Sequence, residues 1–567
     1  YLDNNAIGEN YGTIKTVPNP TNTGIIGIVA LNGAIIKNYG TFTLGSGAVK
    51  EYTPGSKPTG KEVGGVNINA PAGATRATIT RNGNPVTPVT ISNAVGQRNP
   101  LTSSIGMYVD TLRGTNPIGG LIPSGEADLI IGSEASKVTT AKDIEVNGEI
   151  LKPYNKAIAA NPQITNWKIY SGAFTWIATG TQNSDDTFNA VYLLKIPYTS
   201  FAKDKDTYNF MDGLEQRYGV ERVGSREKEL FDKLNGIGKG EPRLLAQAVD
   251  EMKGHQYSNV EQRVYVTSQI LDKEFDYLRS EWQNVSKDSN KIKTFGTRGE
   301  YKTDTAGVID YKYNAYGVAY VHENEDIKMG RGIGWYTGIV HNTFKFKDIG
   351  KSKEQMLQAK VGLLKSVPFD HNNSLNWTIT GDIFVGYNKM HRKYLVVDDI
   401  FNAKARYYTY GIGVKNQLTK SFRLSEDFSL SPYVALNLEY GRVSKIREKS
   451  GEVRLEVKHN DYFSVSPEIG AELAFRHFIN RKTLRVGLGV AYENELGRVA
   501  NGKNKARVAH TNADWFNIRG EKEDRRGNVK FDLNLGLDNQ RYGVTANVGY
   551  DTKGENVRGG LGLRVIF

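Results

Sequence analysis

The sequence predicts an all-β protein with a short helical linker, and three observations support this prediction. Short Gly- and Asn-rich units repeat through residues 1–127. Between residues 204 and 290 the hydrophobic period changes to that of α-helices. Twelve segments that alternate apolar and polar residues then fill residues 291–567. We therefore expect a truncated parallel β-helix, followed by a twelve-stranded antiparallel transmembrane β-barrel with an α-helix in its lumen.

The composition excludes several classes of protein. The 567 residues include no cysteine, which rules out disulfides, thiolate metal sites and thiol nucleophiles. No stretch of 18 apolar residues occurs and the mean hydropathy is −0.47, so a helical membrane span is excluded. The net charge of +12 is scattered among 61 acidic residues, which indicates a solvated surface rather than nucleic-acid binding. The start at Tyr1 indicates a mature or excised part of a longer chain.

Two sequence echoes predict the β-helix in residues 1–127. NYGTI at residues 10–14 returns as NYGTF at 38–42, and GIIGIVALNG at 24–33 is echoed by SIGMYVDTLRG at 104–114. Such units at rung-like spacing are typical of a parallel solenoid, although a β-sandwich with coincidental Asn-Gly turns would also contain them. Residues 128–203 carry aromatic strand patterns instead, and we expect them to cap the end of the solenoid.

Three helices are predicted in residues 204–290. SREKELFDKLNGIG and PRLLAQAVDEMKG each place their apolar residues on one face. The third helix runs from about Ser258 to about Gln283, and its charged residues are spread almost all round. A helix without an apolar stripe is either exposed or lies in a polar cavity.

Period-two alternation defines the twelve strands of residues 291–567. In TLRVGLGVAYE, for example, Leu484, Val486 and Leu488 share one face, and Arg485 lies on the other. A soluble sandwich would alternate in the same way. Connection lengths favour the membrane barrel: residues 371–374, 478–481 and 538–540 form short turns on one side, whereas 389–402, 447–461 and 497–527 are long on the other, as in bacterial outer-membrane barrels.

The polar face of these strands predicts the lumen. Its ionisable residues are Asp382, Glu439, Glu468, Glu472, Arg476, Arg485, Lys530, Asp532, Arg558 and Arg564. We expect Glu468 and Glu472 to belong to a salt-bridge network with Arg485 or with the lumen helix, rather than to act as a catalytic pair. A twelve-stranded barrel has room for one helix, which would plug it.

No catalytic, cofactor or metal motif occurs in the sequence. Nucleophile elbows, Walker loops, dinucleotide fingerprints and zinc-protease motifs are absent. We therefore predict no enzyme activity, no cofactor and no metal site in this chain.

The residues resemble a known family over the whole chain. Twelve C-terminal strands, a preceding helix, an upstream solenoid and a terminal aromatic strand are similar to the monomeric (type Va) autotransporters. The segment DEMKGHQYSNVEQRVYVTSQILDKEF at 250–275 resembles the pre-barrel segment of that family. The Asn- and Gly-rich style is most similar to the large surface adhesins of fusobacteria.

The resemblance implies a location and a function. Residues 291–567 would be the translocator in the outer membrane of a Gram-negative bacterium, and residues 1 to about 200 would be exposed at the cell surface as the end of a secreted passenger. That passenger would be an adhesin and virulence factor that binds host or bacterial surface ligands. The alternatives are a protease or toxin passenger, or, from another class, an outer-membrane porin.

The resemblance also implies partners and an assembly signal. Leu561, Leu563, Val565 and Phe567 match the terminal strand that the barrel assembly machinery reads. Further partners would be outer-membrane lipid and periplasmic chaperones, with the chain a monomer. Some members cut their plug helix at an Asn, but Asn259 and Asn284 lack a cleavage context, so we expect the passenger to stay attached.

Overall fold

A computed structural model describes most of the chain in two compact units. The described residues are 7–15, 35–43, 80–81, 84–85, 106–117, 125–160, 164–185, 187–280, 290–499, 504–521, 527–539 and 541–565. The first unit comprises Tyr1–Met252, Leu395–Phe401 and His510–Phe516, and the second comprises Lys253–Tyr394, Asn402–Ala509 and Asn517–Phe567. No helix of the described residues combines the length and the apolar character that crossing a membrane requires.

Parallel strand pairs join the first sequence echo in the first unit. Strand β1 (Ile7–Asn10) pairs with β3 (Ile35–Asn38), and β2 (Thr13–Lys15) pairs with β4 (Thr41–Thr43). The two copies are in register, because Asn10 lies opposite Asn38 and donates a 2.7 Å amide hydrogen bond to it. The rings of Tyr11 and Tyr39 stack at 4.9 Å. The other echo falls at 24–33, outside the described residues.

Two small sheets and a helix follow in residues 106–195. A two-residue hairpin, β5 (Thr80–Arg81) and β6 (Asn84–Pro85), precedes them. The first sheet is parallel, in the order β10 (Ile164–Ser171), β8 (Gly125–Ile131), β7 (Gly106–Val109). The second is antiparallel, in the order β11 (Trp176–Gln182), β12 (Phe188–Lys195), β9 (Asp143–Glu145).

The helices of the first unit exceed those that the sequence predicted. Helices α3 (Arg226–Asn235) and α4 (Pro242–Met252) match the two predicted amphipathic segments. Helices α1 (Gly148–Ala159) and α2 (Lys205–Arg217) were not predicted. Their ends are fixed by side chains: Asn147 accepts a hydrogen bond from the amide of Glu149, and Asp204 from that of Thr207.

The second unit is a closed antiparallel barrel, which confirms the predicted twelve strands. The long strands are β13 (Asn290–Tyr301), β14 (Tyr311–His322), β15 (Gly334–Phe346), β16 (Lys353–Pro368), β17 (Leu375–Val396), β18 (Asp399–Lys420), β20 (Phe428–Val443), β23 (Asn460–Ile479), β24 (Lys482–Asn494), β27 (Gly527–Asp538), β28 (Tyr542–Asp551) and β29 (Asn556–Val565). The first and last of these, β13 and β29, pair antiparallel and close the ring.

Short elements complete the second unit. They are β19 (Phe422–Arg423), β21 (Ile446–Gly451), β22 (Leu455–Val457), β25 (Lys505–Val508), β26 (Phe516–Asn517) and the one-turn helix α6 (Glu325–Lys328). Helix α5 (Val260–Arg279) precedes the barrel and lies within the range predicted for the third helix.

One of the predicted long connections is wrong. Residues 389–402 were expected to form a long loop, but β17 extends to Val396 and β18 begins at Asp399. The alternation continues through this segment, with Met390, Arg392 and Tyr394 buried, so the hairpin extends beyond residue 388, where the predicted strand ends. The turn is made by Val397, whose φ is 60°.

Candidate functional site

Helix α5 lies inside the barrel, because its side chains reach strands on different sides of the closed ring. Lys273 Nζ is 2.5 Å from Asp551 on β28, and Asp276 is 2.6 Å from Lys415 on β18. Further pairs join α5 to other strands: Arg263 to Glu354 on β16 and Glu274 to Lys293 on β13. The charged side chains on all sides of α5 thus pair with oppositely charged side chains of the surrounding strands. We therefore treat the lumen as the candidate functional site.

Lys360 is the centre of one buried ionic cluster. Its ammonium lies 2.6 Å from Asp272 of α5, 3.5 Å from Glu439 and 3.6 Å from Asp382. Ser268 of α5 donates a 2.7 Å hydrogen bond to Glu439. One fully buried cation therefore links the helix to three strands, β16, β17 and β20.

A second cluster surrounds Lys530. Its ammonium lies 2.9 Å from Glu468 and 3.1 Å from Glu493. Glu468 is also 3.9 Å from Lys415, the lysine that pairs with Asp276 of α5. The network reaches the helix through Lys415.

Arginines pair with aspartates on the strands near the closure of the barrel. Arg558 lies 2.6 Å from both Asp532 and Asp551. Arg485 pairs at 2.6 Å with Asp538, rather than with Glu468 or Glu472. Arg564 lies 3.7 Å from the same aspartate.

The ten residues expected in the lumen share the strand face that contacts α5. Exposure separates the two faces of β29: Arg558 and Arg564 are 6% and 7% exposed, whereas Leu561 and Leu563 are 66% and 59% exposed. Glu472 lines a lumen cavity together with Glu468 and Asp532. Arg476 is half-buried and lies directly opposite Arg485.

Several lumen residues were missed by the sequence reasoning. They include Lys293, Glu354, Lys360 and Lys415. Each lies on the buried face of its strand, so extending the period-two count to every predicted strand would have found them. Their pairing could not have been found in this way, because it depends on how the strands close.

The segment before α5 is held by residues of β17 and of the chain between β20 and β27. Arg392 donates hydrogen bonds of 2.7 and 2.9 Å to the two carboxylate oxygens of Glu448, and Tyr257 donates one of 3.0 Å to the same carboxylate. Asn504 donates a 2.9 Å hydrogen bond to the backbone carbonyl of Tyr257. Asn259 follows at the start of the helix and is 2% exposed, while Asn284 falls outside the described residues.

Close packing and residual space both occur around α5. A Cβ added at Gly338 of β15 would lie 2.8 Å from Leu271 and 3.0 Å from Phe275, so the helix touches the barrel wall there. On another side, a cavity of about 300 Å³ is lined by α5 and by strand residues that include Glu493 and Asp551. The helix therefore fills the lumen only in part.

No metal site is found within the described ranges, where no group of three or more His, Asp or Glu side chains could hold an ion. What the lumen offers chemically is a set of paired charges. Such pairs hold a helix in place, because removing one partner of a buried pair is costly.

Comparison with known proteins identifies the C-terminal part. Residues 291–549 match the family model of the autotransporter beta-domain. No curated protein matches the chain.

Three solved structures similar to the chain are autotransporter domains. The translocator domain of NalP from Neisseria meningitidis is 11% identical, with 54% of this chain and 96% of that one covered at a TM-score of 0.40. The beta domain of BrkA from Bordetella is 12% identical, with 50% of this chain and 100% of that one covered at a TM-score of 0.35. The transport unit of AIDA-I from Escherichia coli is 12% identical, with 55% of this chain and 100% of that one covered at a TM-score of 0.33. Scores this low add nothing to the family match.

Proposed function

Since the chain carries an autotransporter β-domain in the outer membrane of a Gram-negative bacterium, a translocator that secretes a passenger, we propose that α5 remains in the lumen as plug and as tether. The β-domain itself is not an enzyme. Residues 1 to about 200 are then the end of a passenger that stays attached to the cell surface through α5.

The observation that carries this proposal is the set of ion pairs along α5. Arg263, Asp272, Lys273, Glu274 and Asp276 all pair with strand residues. Breaking a buried pair by removing one partner costs about 3–5 kcal/mol. A helix held by five such pairs does not leave the lumen readily, which supports a permanent plug over a transient one.

An open porin is the alternative from another class, and the lumen disfavours it. A porin needs a continuous aqueous channel, whereas α5 fills the axis and pairs with the charges that would line the channel. The cavity of about 300 Å³ beside α5 would allow at most a small leak of solutes.

We further propose that the passenger is a solenoid with a binding role. In support of it, β1 and β3 pair in parallel with the NYGT repeats in register, and the amides of Asn10 and Asn38 are hydrogen-bonded as in an Asn ladder. A long solenoid offers an extended surface, which suits adhesion to host or bacterial surface ligands. The alternative is a passenger that is a protease or a toxin. A set of catalytic residues upstream of Tyr1 would favour this alternative over an adhesin.

Recognition of β29 by the barrel assembly machinery belongs to the same proposal. Leu561 and Leu563 are exposed on the outward face, and Val565 is half-buried. Phe567, the terminal aromatic residue, falls outside the described residues. Before closure with β13, the unpaired edge of β29 is a template for strand addition, and chaperones of the periplasm would have to protect it.

Planar-bilayer conductance of the full chain tests the plug. The intact protein should show a small, flickering conductance, and deletion of residues 258–283 should raise it to a large, steady one. A matched control deletes residues 226–235 (α3), which lie in the other compact unit. An intact protein that already conducts like an open pore, with no effect of the 258–283 deletion, would overturn the plug and favour the porin.

A further inference from the structure

Basic side chains are concentrated on one part of the outer face of the barrel. They lie on the outward faces of β14 to β18, which we call the cationic face, and comprise Lys312, Lys345, Lys353, Lys389, His391, Lys393, Lys404 and Arg406. All of them are exposed or half-buried. None of them points into the lumen, so the plug does not use them.

The strand register sets these cations directly opposite one another. Lys312 lies opposite Lys345, and Lys345 lies opposite Lys353, so three ammonium groups follow one another across neighbouring strands. Lys353 in turn lies opposite His391. Like charges directly opposite on one sheet face destabilise the pairing, so the row of lysines needs an anionic partner.

The described part of the protein supplies almost no such partner. Within it, Lys345, Lys353, Lys404 and Arg406 form no ion pair. Lys312 lies directly opposite Glu300, 4.0 Å from its carboxylate, and elsewhere on the barrel Arg442 lies opposite Asp461. The remaining cations of the cationic face therefore depart from this cross-strand charge pairing.

The position of the cationic face relates it to one leaflet of the membrane. It lies at the barrel end that carries residues 444–459 and 495–499, opposite the short turn between Ile479 and Lys482. In outer-membrane barrels the long connections face the outside. Just below the cations, the outward rings of Tyr387 and Tyr408 pack at 5.5 Å, as in an interfacial aromatic girdle.

Four other strands of the barrel differ from the cationic face at the same end. The outward side chains at this end of β23, β24, β28 and β29 include Phe463, Tyr492, Tyr550 and Val557, which are all exposed. In these four strands, no outward position at this end carries a Lys or Arg. A general attraction to the membrane would not need a one-sided arrangement, so the asymmetry favours a specific ligand.

We propose that the cationic face binds the phosphate groups of lipopolysaccharide in the outer leaflet. A phosphate accepts charge-assisted hydrogen bonds from several lysines at once and removes their mutual repulsion. The acyl chains of the same molecule would lie along the apolar band beneath Tyr387 and Tyr408. A row of cations at headgroup depth with apolar side chains below it matches the shape of a phosphorylated glycolipid.

The test measures binding of lipopolysaccharide to the full chain in phosphatidylcholine vesicles. In K345Q/K353Q/K404Q the affinity should fall about 100-fold, because three cations near a charged membrane surface are removed. The control R423Q/R481Q/K482Q removes three cations at the opposite end and should stay within about twofold of the unchanged protein. Lipopolysaccharide without its phosphates should bind at least about tenfold more weakly.

Several outcomes would overturn the proposal. They are unchanged affinity of the Gln variant, equal binding of the dephosphorylated lipid, equally tight binding of phosphatidylglycerol, and chemical cross-links that place a second copy of the chain on the cationic face. Heat-modifiable mobility on a gel verifies that each variant is folded. Should the Gln variant not assemble, K345R/K353R/K404R keeps the charge and must retain binding, while single Gln substitutions must each weaken it.

Discussion

The Lys360 ammonium lies 2.6 Å from the Asp272 carboxylate, and neither residue was linked to the other by any local sequence pattern. Lys360 is on β16 of the barrel wall and Asp272 is on α5 in the lumen. Because Glu439 and Asp382 also lie within 4 Å, one ammonium group contacts three carboxylates. We expect the position of the helix to depend on this lysine.

Replacing Lys360 with Met should therefore loosen α5. Three carboxylates would be left without their cation, and removal of one partner from a buried pair costs about 3–5 kcal/mol. We expect a larger bilayer conductance and a lower temperature for the heat-induced gel shift. Lys482→Met, in an exposed turn, is the control. Equal behaviour of the two variants would show that Lys360 does not hold the helix.

Gly338 tests the contact between α5 and the barrel wall. A side chain there would overlap Leu271 and Phe275, so Gly338→Leu should displace the helix at a cost of about 1–3 kcal/mol. Gly296→Leu is the matched control, because the atom nearest to a Cβ added at Gly296 is 3.8 Å away and no side chain has to move. Hydrogen exchange of residues 260–279 should accelerate only in the Gly338 variant, and unchanged exchange there would contradict the observed packing.

A pH dependence is expected in the first unit. Burial lowers the pKa of Lys195 to about 8, although Glu215 lies 2.6 Å away. The unfolded chain then binds more protons than the folded one between this value and the ordinary lysine pKa, so stability should rise by about 2 kcal/mol from pH 8 to pH 10. Burial also lowers the pKa of Lys239 to about 8, which adds a contribution of the same sign.

Urea unfolding followed by tryptophan fluorescence measures this dependence, since Trp176 is 2% exposed in the first unit. Lys195→Met should remove about 2 kcal/mol of the rise and leave the part due to Lys239. Lys152→Met, at an exposed pair with Glu149, should leave the rise intact. A stability that is flat or falling between pH 8 and pH 10 in the unchanged protein would refute the assignment.

The barrel should resist SDS until it is boiled. Its strand ladder is closed between β13 and β29, so every strand has two neighbours and no edge is open to the detergent. The full chain should migrate faster on a gel before heating than after. Identical mobility in both conditions, together with solubility in plain buffer, would point to an open sheet in a soluble protein.

Local patterns in the sequence were enough to predict the twelve strands, α3, α4 and α5. Helix α1 was missed because it lies in a region of aromatic strand patterns, and α2 because Gly213 and polar residues interrupt its apolar face. The extension of β17 and β18 was missed because charged residues such as Lys389 and Lys393 resemble a loop, although they lie on the outward face of strands.

What the sequence by itself determined is which face of each strand is apolar and that α5 has charge all round, since both follow from the spacing of neighbouring residues. Only the tertiary structure decided which charges pair. Arg263 and Glu354 are 91 residues apart, and Lys273 and Asp551 are 278 apart. Contacts over such separations depend on the register of every intervening strand and on closure of the ring, which no local pattern contains.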